Sequence, residues 1–317
     1  MAYETGTVNS LPDINTTIRT FLVANGWTWD SGNSTIYKDS MYIKLFDTTN
    51  YVYYQASTAL TGGEVAPYVG MGLPNVITAT PTPSPITFPA TYFAFLNADE
   101  FYFVINYNST LYQYVCWGKS TMDVGGGTGT FISASLNYPR STLGGNYGSL
   151  IGTFSDGTYS YLTNFPTSSA PFYGQSYYAS HNSSADYVHT DFVDAFLQSN
   201  NWYIGDSTNS YTSNIGNMDM SALISVQPNI WNGEAVFLPI RCYKKMQSNK
   251  TALVLDLQTA KQCRIDNFAD KEEVTLGTDT WKIFPFFQRD MTQRNGPTAA
   301  KYLYHSGTFG WAIKKEI

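Results

Sequence analysis

Two aromatic segments separated by three turn-forming residues constrain the fold of this chain most strongly. Phe101–Tyr107 and Leu111–Gly118 are rich in aromatic and β-branched side chains, and they flank Asn108-Ser109-Thr110. Aromatic and β-branched side chains favour the pleated surface of a sheet, whereas Asn and Ser favour tight turns. The pattern predicts a β-hairpin within a β-rich fold.

Similar short segments, bounded by Gly, Ser, Thr, Asn or Pro, recur along the chain. They predict strands at Trp27–Asp30, Thr35–Lys38, Met41–Asp47, Tyr51–Ala56, Phe131–Ser135, Glu234–Lys244, Ala252–Leu257, Glu273–Leu276, Trp281–Phe287 and Trp311–Lys315. The glycine-rich run at residues 125–129 is not followed by a helix-starting Gly-Lys-Ser/Thr. We therefore expect a tight turn or close backbone packing there, and not a phosphate-binding loop.

One amphipathic helix is predicted over Leu11–Asn25. Its apolar side chains recur at the i, i+4, i+7 and i+8 spacing of a single helical face. Pro12 falls in the first turn, where its missing N–H costs nothing, and Gly26 follows the end as a stop.

A second amphipathic helix is predicted over Ala185–Ser199 from the same spacing. His189 falls on its apolar face, where a buried, hydrogen-bonded histidine is a better interpretation than a metal ligand. Both predicted helices end in Phe-Leu, followed by an Asn and then by Trp27 or Trp202. This echo is consistent with a duplicated module, and two unrelated helices with similar ends are the alternative.

The predicted fold class is mainly β with a few short amphipathic helices (α+β). At 317 residues the chain is long enough for two or three cores. We expect two β-rich domains, sandwich- or barrel-like, over residues 1–165 and 166–317, each opening with a helix. The boundary lies in the Gly-, Ser-, Thr-, Pro- and Tyr-rich stretch Arg140–Gln175.

Charge is scarce in this chain and aromatic side chains are abundant. Only 13% of the residues are charged, while 16% are aromatic, and the formal net charge is −6. Aromatic side chains are enriched at the cores of interfaces, so the composition favours assembly with partners over a monomeric, aromatic-rich β protein. No basic field is present, so direct nucleic-acid recognition is not expected; Lys244-Lys245 is too short a cluster and is expected at a solvated strand end.

The three cysteines, Cys116, Cys242 and Cys263, are too few and too widely spaced for a disulfide framework or a metal site. We interpret them as reduced, buried thiols. The chain shows neither a signal peptide nor a long apolar run, so we expect folding in a reducing cytoplasm without membrane insertion.

No catalytic, cofactor or metal motif emerges. The three histidines, His181, His189 and His305, share no metal-ligand spacing, and no Gly-x-Ser-x-Gly elbow is present. A polysaccharide hydrolase would need two carboxylates, for which the candidates are Asp99-Glu100, Asp191 with Asp194, and Glu272-Glu273. Non-catalytic binding of a glycan or receptor by exposed Trp and Tyr rings is a further alternative.

A proline-rich segment runs from Thr78 to Pro89 and contains Pro81, Pro83 and Pro85. This composition is incompatible with a central strand and favours extended, polyproline-like chain. The segment is predicted to be an arm that lies across a neighbouring subunit, or else a surface loop.

Several segments of the chain form a recognisable set: Met1-Ala2-Tyr3-Glu4-Thr5-Gly6-Thr7, Tyr112–Gly118 with Gly125-Gly126-Gly127 and Phe131–Ser135, Trp231-Asn232-Gly233 with Leu238-Pro239-Ile240, Val274–Phe287 and Gly307–Lys315. Together they resemble a group of tailed-phage virion proteins. The matches touch both halves of the chain, whereas residues 58–98 match nothing in the group.

The resemblance implies a non-enzymatic structural subunit in the virion tail region, at the neck, collar or baseplate, assembled in the host bacterial cytoplasm. It also implies a symmetric ring of copies, in contact with other tail, neck or baseplate proteins. We expect contacts through β-sheet edges, aromatic patches and the arm. The candidate interaction residues are Pro81, Pro83, Pro85, Trp117, Trp281, Phe284, Phe286 and Trp311.

Overall fold

A computed structural model of the chain describes residues 1–49, 51–66, 68–72, 86–137, 186–193, 201–202, 236–247, 250–286, 289 and 309–315. These residues form one α-helix, α1 (Leu11–Ala24), and seventeen strands. The strands are β1 (Ala2–Val8), β2 (Thr28–Asp30), β3 (Thr35–Lys38), β4 (Met41–Asp47), β5 (Tyr51–Ser57), β6 (Val69–Gly72), β7 (Ala90–Asn97), β8 (Glu100–Tyr107), β9 (Leu111–Lys119), β10 (Thr130–Ala134), β11 (Leu136–Asn137), β12 (Asp186–Val188), β13 (Leu238–Lys245), β14 (Thr251–Arg264), β15 (Glu273–Leu276), β16 (Asp279–Pro285) and β17 (Phe309–Lys315). The predicted mainly-β class is confirmed.

The strands form three antiparallel sheets. The N-terminal sheet has the order β11-β6-β5-β4-β3-β2, the central sheet β1-β7-β8-β9-β10-β12, and the C-terminal sheet β13-β14-β17-β16-β15. Helix α1 packs with the N-terminal sheet, contacting β2, β4 and β5, and it also contacts β1 and β7 of the central sheet.

The predicted first helix is confirmed, together with the signals that delimit it. Ser10 is the N-cap, and its hydroxyl oxygen accepts a hydrogen bond from the Asp13 backbone N–H at 3.3 Å. Pro12 lies in the first turn, and Gly26 follows the helix with a φ of +87°. The buried face includes Ile14, Ile18 and other members of the predicted apolar stripe.

The predicted hairpin is also confirmed, as β8 and β9. Asn108 and Ser109 both have positive φ angles, 48° and 55°. Such angles at two successive turn residues match the right-handed twist of the two strands. All eight residues of β8 are buried, so the hairpin is covered on both faces.

Alternate residues of the central sheet enter two different cores. One face of β8 presents Phe101 and Phe103 to a core shared with α1 and the N-terminal sheet. The other face presents Tyr102 and Val104 to a core shared with the C-terminal sheet, where Trp311 is fully buried. Since side chains along a strand alternate between faces, the central sheet is the middle of three layers.

The second predicted helix is wrong where the structure describes it. Asp186–Val188 is strand β12, which pairs with β10 in the central sheet, and Thr190–Val193 is not helical. Of the residues at helical spacing, His189 is buried next to β12 and Val193 is fully exposed, whereas Phe196 and Leu197 lie outside the described residues. Pairing with an existing sheet overrides the helical pattern. Residues 185 and 194–199 of this prediction lie outside the described residues.

The described residues of the two halves share packing. Strand β12, from the second half, completes the sheet of the first half, and the C-terminal sheet buries one face against that same sheet. Trp27 and Trp202, the matching tryptophans of the proposed duplication, lie in one core rather than in two. The boundary at residues 165 and 166 falls outside the described residues and stays a prediction.

Candidate functional site

The predicted interaction residues occupy the interior of the chain wherever the structure describes them. Trp117 packs 4.5 Å from the Phe101 ring in the core between the central and N-terminal sheets. Phe284, Phe286 and Trp311 lie in the core between the central and C-terminal sheets.

Trp281 lies in a small cluster on the other face of the C-terminal sheet, and it is 7% exposed. Buried rings of this kind offer little accessible surface to a partner. Trp117, Phe284, Phe286 and Trp311 pack between the layers, whereas Trp281 packs on the outer face of the C-terminal sheet. Pro81, Pro83 and Pro85 lie outside the described residues.

A different set of rings lies outside the three cores, on the face of the N-terminal sheet that points away from α1. We call this set the aromatic face: Tyr37, Tyr42, Phe46, Tyr53 and Tyr68. All five side chains are partly exposed. Phe46 and Tyr53 are directly opposite each other on β4 and β5, and their rings stack at 5.1 Å.

Two clusters make up this face. The Tyr68 ring meets the edges of Phe46 and Tyr53 at centroid distances of 5.5 and 5.3 Å. Tyr37 and Tyr42 stack at 5.6 Å across β3 and β4. Because Tyr42 and Phe46 are four residues apart on one strand, the clusters lie about 13 Å apart.

The aromatic face is suited to two kinds of binding partner. Partly exposed rings can stack on a sugar, or they can be buried against another protein at low cost in side-chain entropy. Sequence reasoning missed this face, although a signal was present: Tyr42 and Phe46 alternate with the core residues Ile43 and Leu45. Such alternation indicates a strand with one face in a core and the other facing outward.

His189 is the centre of a polar cluster beside the glycine-rich loop. Its Nδ1 accepts a hydrogen bond from the Thr128 backbone N–H at 2.8 Å, and its Nε2 lies 3.2 Å from Glu64 Oε2. The ring packs 4.9 Å from the ring of Trp202. Both ring nitrogens are engaged, so His189 has no free nitrogen to act as a base or a metal ligand. The prediction of a buried, hydrogen-bonded histidine is confirmed, on a strand-flanking segment instead of a helix.

Lys244 belongs to the same region and corrects a sequence prediction. It is 4% exposed, not solvated, and its Nζ donates a hydrogen bond to Thr190 Oγ1 at 2.8 Å. Burial lowers the pKa of Lys244, and the charge of Asp191 partly opposes that shift. Sequence reasoning missed this residue, because a Lys at the end of a strand is ordinarily a solvated charge.

The glycine-rich loop is a packed turn. Three glycines of the loop use their backbone N–H groups within the chain: Gly125 donates to Asp123 Oδ1, Gly127 to the Val124 carbonyl and Gly129 to the His189 carbonyl. A Cβ on Gly127 would lie 2.7 Å from the His189 carbonyl oxygen. The prediction of close backbone packing is confirmed, since a phosphate cradle needs N–H groups that point to the ligand.

The carboxylates considered for glycoside hydrolysis have intramolecular partners. Glu100 is 5% exposed and accepts hydrogen bonds from the backbone N–H groups of Gln258 and Thr259. Glu273 accepts from Lys315 and Lys282, and these bonds hold its pKa below the ordinary range.

The other candidate carboxylates are placed apart from these two. Asp99 pairs with Lys38 at 3.5 Å, Asp191 is exposed, and the Glu272 carboxylate accepts from the Ala269 backbone N–H. Asp194 lies outside the described residues. None of these contacts brings two of the carboxylates together with an open space for a substrate.

Cys116, Cys242 and Cys263 are buried and free, as predicted. Over the described ranges, no three His, Cys, Asp or Glu side chains are placed to hold a metal ion. Of the helices in the described part of the chain, none is long and apolar enough to cross a membrane.

Comparison with known proteins gives no match from which a family can be assigned. No protein-family model matches the chain, and no curated protein matches it.

Proposed function

We propose that the chain is a non-enzymatic structural subunit of a tailed-phage virion that packs in a symmetric ring in the tail region, at the neck, collar or baseplate. Copies contact each other and neighbouring tail proteins through sheet edges, the aromatic face and the arm at residues 78–89. The subunit is made and assembled in the cytoplasm of the bacterial host.

The observation that carries the proposal is the aromatic face. Five partly exposed rings are organised by cross-strand stacking on one side of a sheet, outside every core cluster. Ordered rings of this kind supply contact area that is already rigid, so little entropy is lost when a partner covers them. The proposed kind of assembly, a phage tail, is based on the resemblance of the sequence to tailed-phage virion proteins.

The polar clusters support a non-enzymatic role. His189 uses both ring nitrogens within the fold, and Glu100 holds two sheets together. A general base needs a free lone pair directed at a substrate, and neither side chain has one directed away from the chain.

The test is made on purified virions of the phage that encodes this chain. Mass spectrometry should detect the chain in the particle, and a particle reconstruction should place its copies in a ring with contacts of more than about 1,000 Å² each. A chain absent from virions, or present as scattered single copies, would overturn the proposal.

A matched pair of variants tests the aromatic face itself. The double variant Phe46→Ala with Tyr53→Ala should fold but fail to enter particles, because it removes the stacked pair. Val23→Ala removes apolar surface from a side chain that is 45% exposed on α1, outside the aromatic face, and should assemble normally. Equal incorporation of both variants would show that the aromatic face is not an assembly surface.

A receptor- or glycan-binding tail protein is the second candidate. The same rings favour it, since Phe46, Tyr53 and Tyr68 form an aromatic corner suited to stacking on a sugar. In this case the Phe46→Ala, Tyr53→Ala double variant should enter particles, yet the particles should lose host adsorption. A glycan array with the purified chain should then show saturable binding that the double variant lacks.

A further inference from the structure

Strand β1 lies at one edge of the central sheet. It pairs with β7 through seven consecutive residues, from Ala2 opposite Leu96 to Val8 opposite Ala90. Among the described residues, no strand pairs with its other side. In an antiparallel pair, alternate residues direct both backbone groups away from the partner strand, so this side of β1 carries a row of N–H and C=O groups suited to another strand.

The edge carries few of the features by which proteins usually protect edge strands. Protected edges are short, carry charged side chains, above all Lys, or contain Pro or a bulge. The one charged residue of β1, Glu4, accepts a hydrogen bond from Tyr92 of the neighbouring strand β7. β1 has seven residues without Lys or Pro, and its register with β7 has no shift. Glu4, Thr5 and Thr7 are exposed, so the layers on either side of the sheet leave the middle of β1 accessible.

The strand is also held in its extended shape by its own chain. The Tyr3 ring packs 5.0 Å from Phe95, and Lys315 Nζ lies 4.7 Å from the Tyr3 ring centre. The Glu4 carboxylate accepts a hydrogen bond from the Tyr92 hydroxyl. A strand that is already ordered loses little entropy when another strand is added.

We propose that β1 joins two copies of this chain by antiparallel pairing of their β1 strands, centred on Thr5. A twofold axis perpendicular to the sheet places Thr5 opposite Thr5 of the second copy, and it places Glu4 opposite Gly6. All seven residues of β1 are then paired. Thr–Thr pairs stabilise antiparallel sheets, and no like charges face each other.

The sequence of β1 selects this register over its neighbours. Pairing that keeps the side chains on the correct faces can be centred on other residues of β1, and the longest alternatives are centred on its neighbours, Glu4 and Gly6. Centring on Glu4 pairs five residues of β1 and places two carboxylates directly opposite each other, which is destabilising. Centring on Gly6 also pairs only five residues. The Thr5-centred register is the longest of the three.

The occupant of the edge is therefore a second copy of this chain. The inference goes beyond the proposed function: a twofold contact closes a pair of copies, whereas the contacts around a ring are head to tail. Its test is made on the purified chain in solution, so it succeeds or fails independently of whether the chain is found in virions.

The experiment is disulfide cross-linking of two single-cysteine substitutions in the full chain. Directly opposite residues in an antiparallel pair have Cα atoms about 4.5 to 5.5 Å apart, within the range for a disulfide. Thr5→Cys should therefore cross-link to a covalent dimer under a mild thiol oxidant. In the same register the two copies of Thr7 lie about 13 Å apart, so Thr7→Cys should not cross-link. The three native cysteines are buried.

A second pair of variants tests the same contact without oxidation. Thr5→Lys and Thr5→Asp should each be monomeric in sedimentation velocity, whereas an equimolar mixture should dimerise. The same substitutions at Thr275, which is exposed on the edge strand β15, should leave the wild-type dimer intact.

The supporting and the contradicting outcomes of these experiments are distinct. Cross-linking of Thr5→Cys alone, with dimers restored only in the mixture of Thr5→Lys and Thr5→Asp, supports the proposal. A monomeric wild-type chain, cross-linking of Thr7→Cys equal to that of Thr5→Cys, or no restoration in the mixture would overturn it. A monomer whose β1 edge is protected from hydrogen exchange would show that the chain's own residues cover the edge.

Discussion

The carboxylate of Glu100 accepts a hydrogen bond from the backbone N–H of Thr259, at 2.9 Å from Oε2, although the two residues are 159 positions apart. Glu100 begins β8 of the central sheet, and Thr259 lies within β14 of the C-terminal sheet. The same carboxylate accepts from the Gln258 N–H at 2.8 Å, from the Tyr102 hydroxyl at 2.8 Å and from the Thr259 hydroxyl. One buried side chain therefore links two layers.

Glu100→Gln should destabilise the fold by about 2 to 4 kcal/mol, because an amide NH₂ would replace an oxygen that accepts from several donors. Urea unfolding measures the loss. Asp99→Asn is the matched control, since the Asp99 side chain is 49% exposed and, among the described residues, pairs with Lys38 at 3.5 Å. The control should cost less than about 1 kcal/mol. Equal losses in both variants would contradict the role of Glu100.

Gln113→Glu should destabilise the fold by about 1 to 3 kcal/mol at neutral pH. The buried Gln113 amide accepts from the Gly72 N–H at 2.8 Å and donates to the Gly72 carbonyl at 2.9 Å, which joins the central and N-terminal sheets. A carboxylate cannot donate to that carbonyl. Gln258→Glu, at an exposed position, should change the free energy of unfolding by about 0.5 kcal/mol or less. A stability unchanged by Gln113→Glu would show that this pair is dispensable.

Gly118→Ala should destabilise the fold by about 2 to 3 kcal/mol. A Cβ at Gly118 would lie 2.2 Å from the Asp99 carbonyl oxygen and 2.8 Å from the Phe131 ring, so backbone must move. Gly32→Ala, whose nearest contact would be Asp30 Oδ1 at 3.3 Å, should cost less than about 1 kcal/mol. Thermal unfolding of both variants measures the difference, and equal midpoints would contradict the expectation.

Stability should fall in alkaline solution. Burial raises the pKa of Tyr102, Tyr114, Cys116 and Cys242 well above their ordinary values. The unfolded chain releases these protons near about pH 8.5 for Cys and about pH 10 for Tyr, while the folded chain keeps them. Their contribution to stability is complete below those values and is lost as the pH rises above them.

Urea unfolding at a series of pH values, with the tyrosinate absorbance followed in parallel, measures this dependence. The free energy of unfolding should be constant between about pH 6 and about pH 8 and should then decrease. A thiol reagent should modify the three cysteines only as the chain unfolds. Rapid thiol modification in the native state, or a constant stability up to about pH 11, would contradict the expectation.

Local patterns predicted several elements closely. Strands Thr35–Lys38, Met41–Asp47 and Glu273–Leu276 have the predicted bounds, as does the start of α1 at Leu11. Turn residues and helix caps act over a few residues, so their signals are present in the sequence itself.

Other elements gave no clear local signal. Strand β1 was not predicted, because Glu4 and Gly6, which are depleted in strands, interrupt its aromatic and β-branched residues; its partner β7 supplies the pairing. Strand β12 was predicted as helix, because its pairing with β10 joins residues that are far apart in the chain and leaves no local signal.

The aromatic face likewise depends partly on local sequence and partly on tertiary structure. The sequence by itself determined that the chain is rich in strands, low in charge and provided with aromatic rings, and it placed His189 in a buried, hydrogen-bonded setting. Only the tertiary structure decided which rings are covered: Trp117 and Trp311 lie in cores, whereas Phe46 and Tyr53 remain partly exposed. The physical reason is that period-two alternation predicts two faces of a strand, but which of them is covered depends on a sheet formed by distant residues.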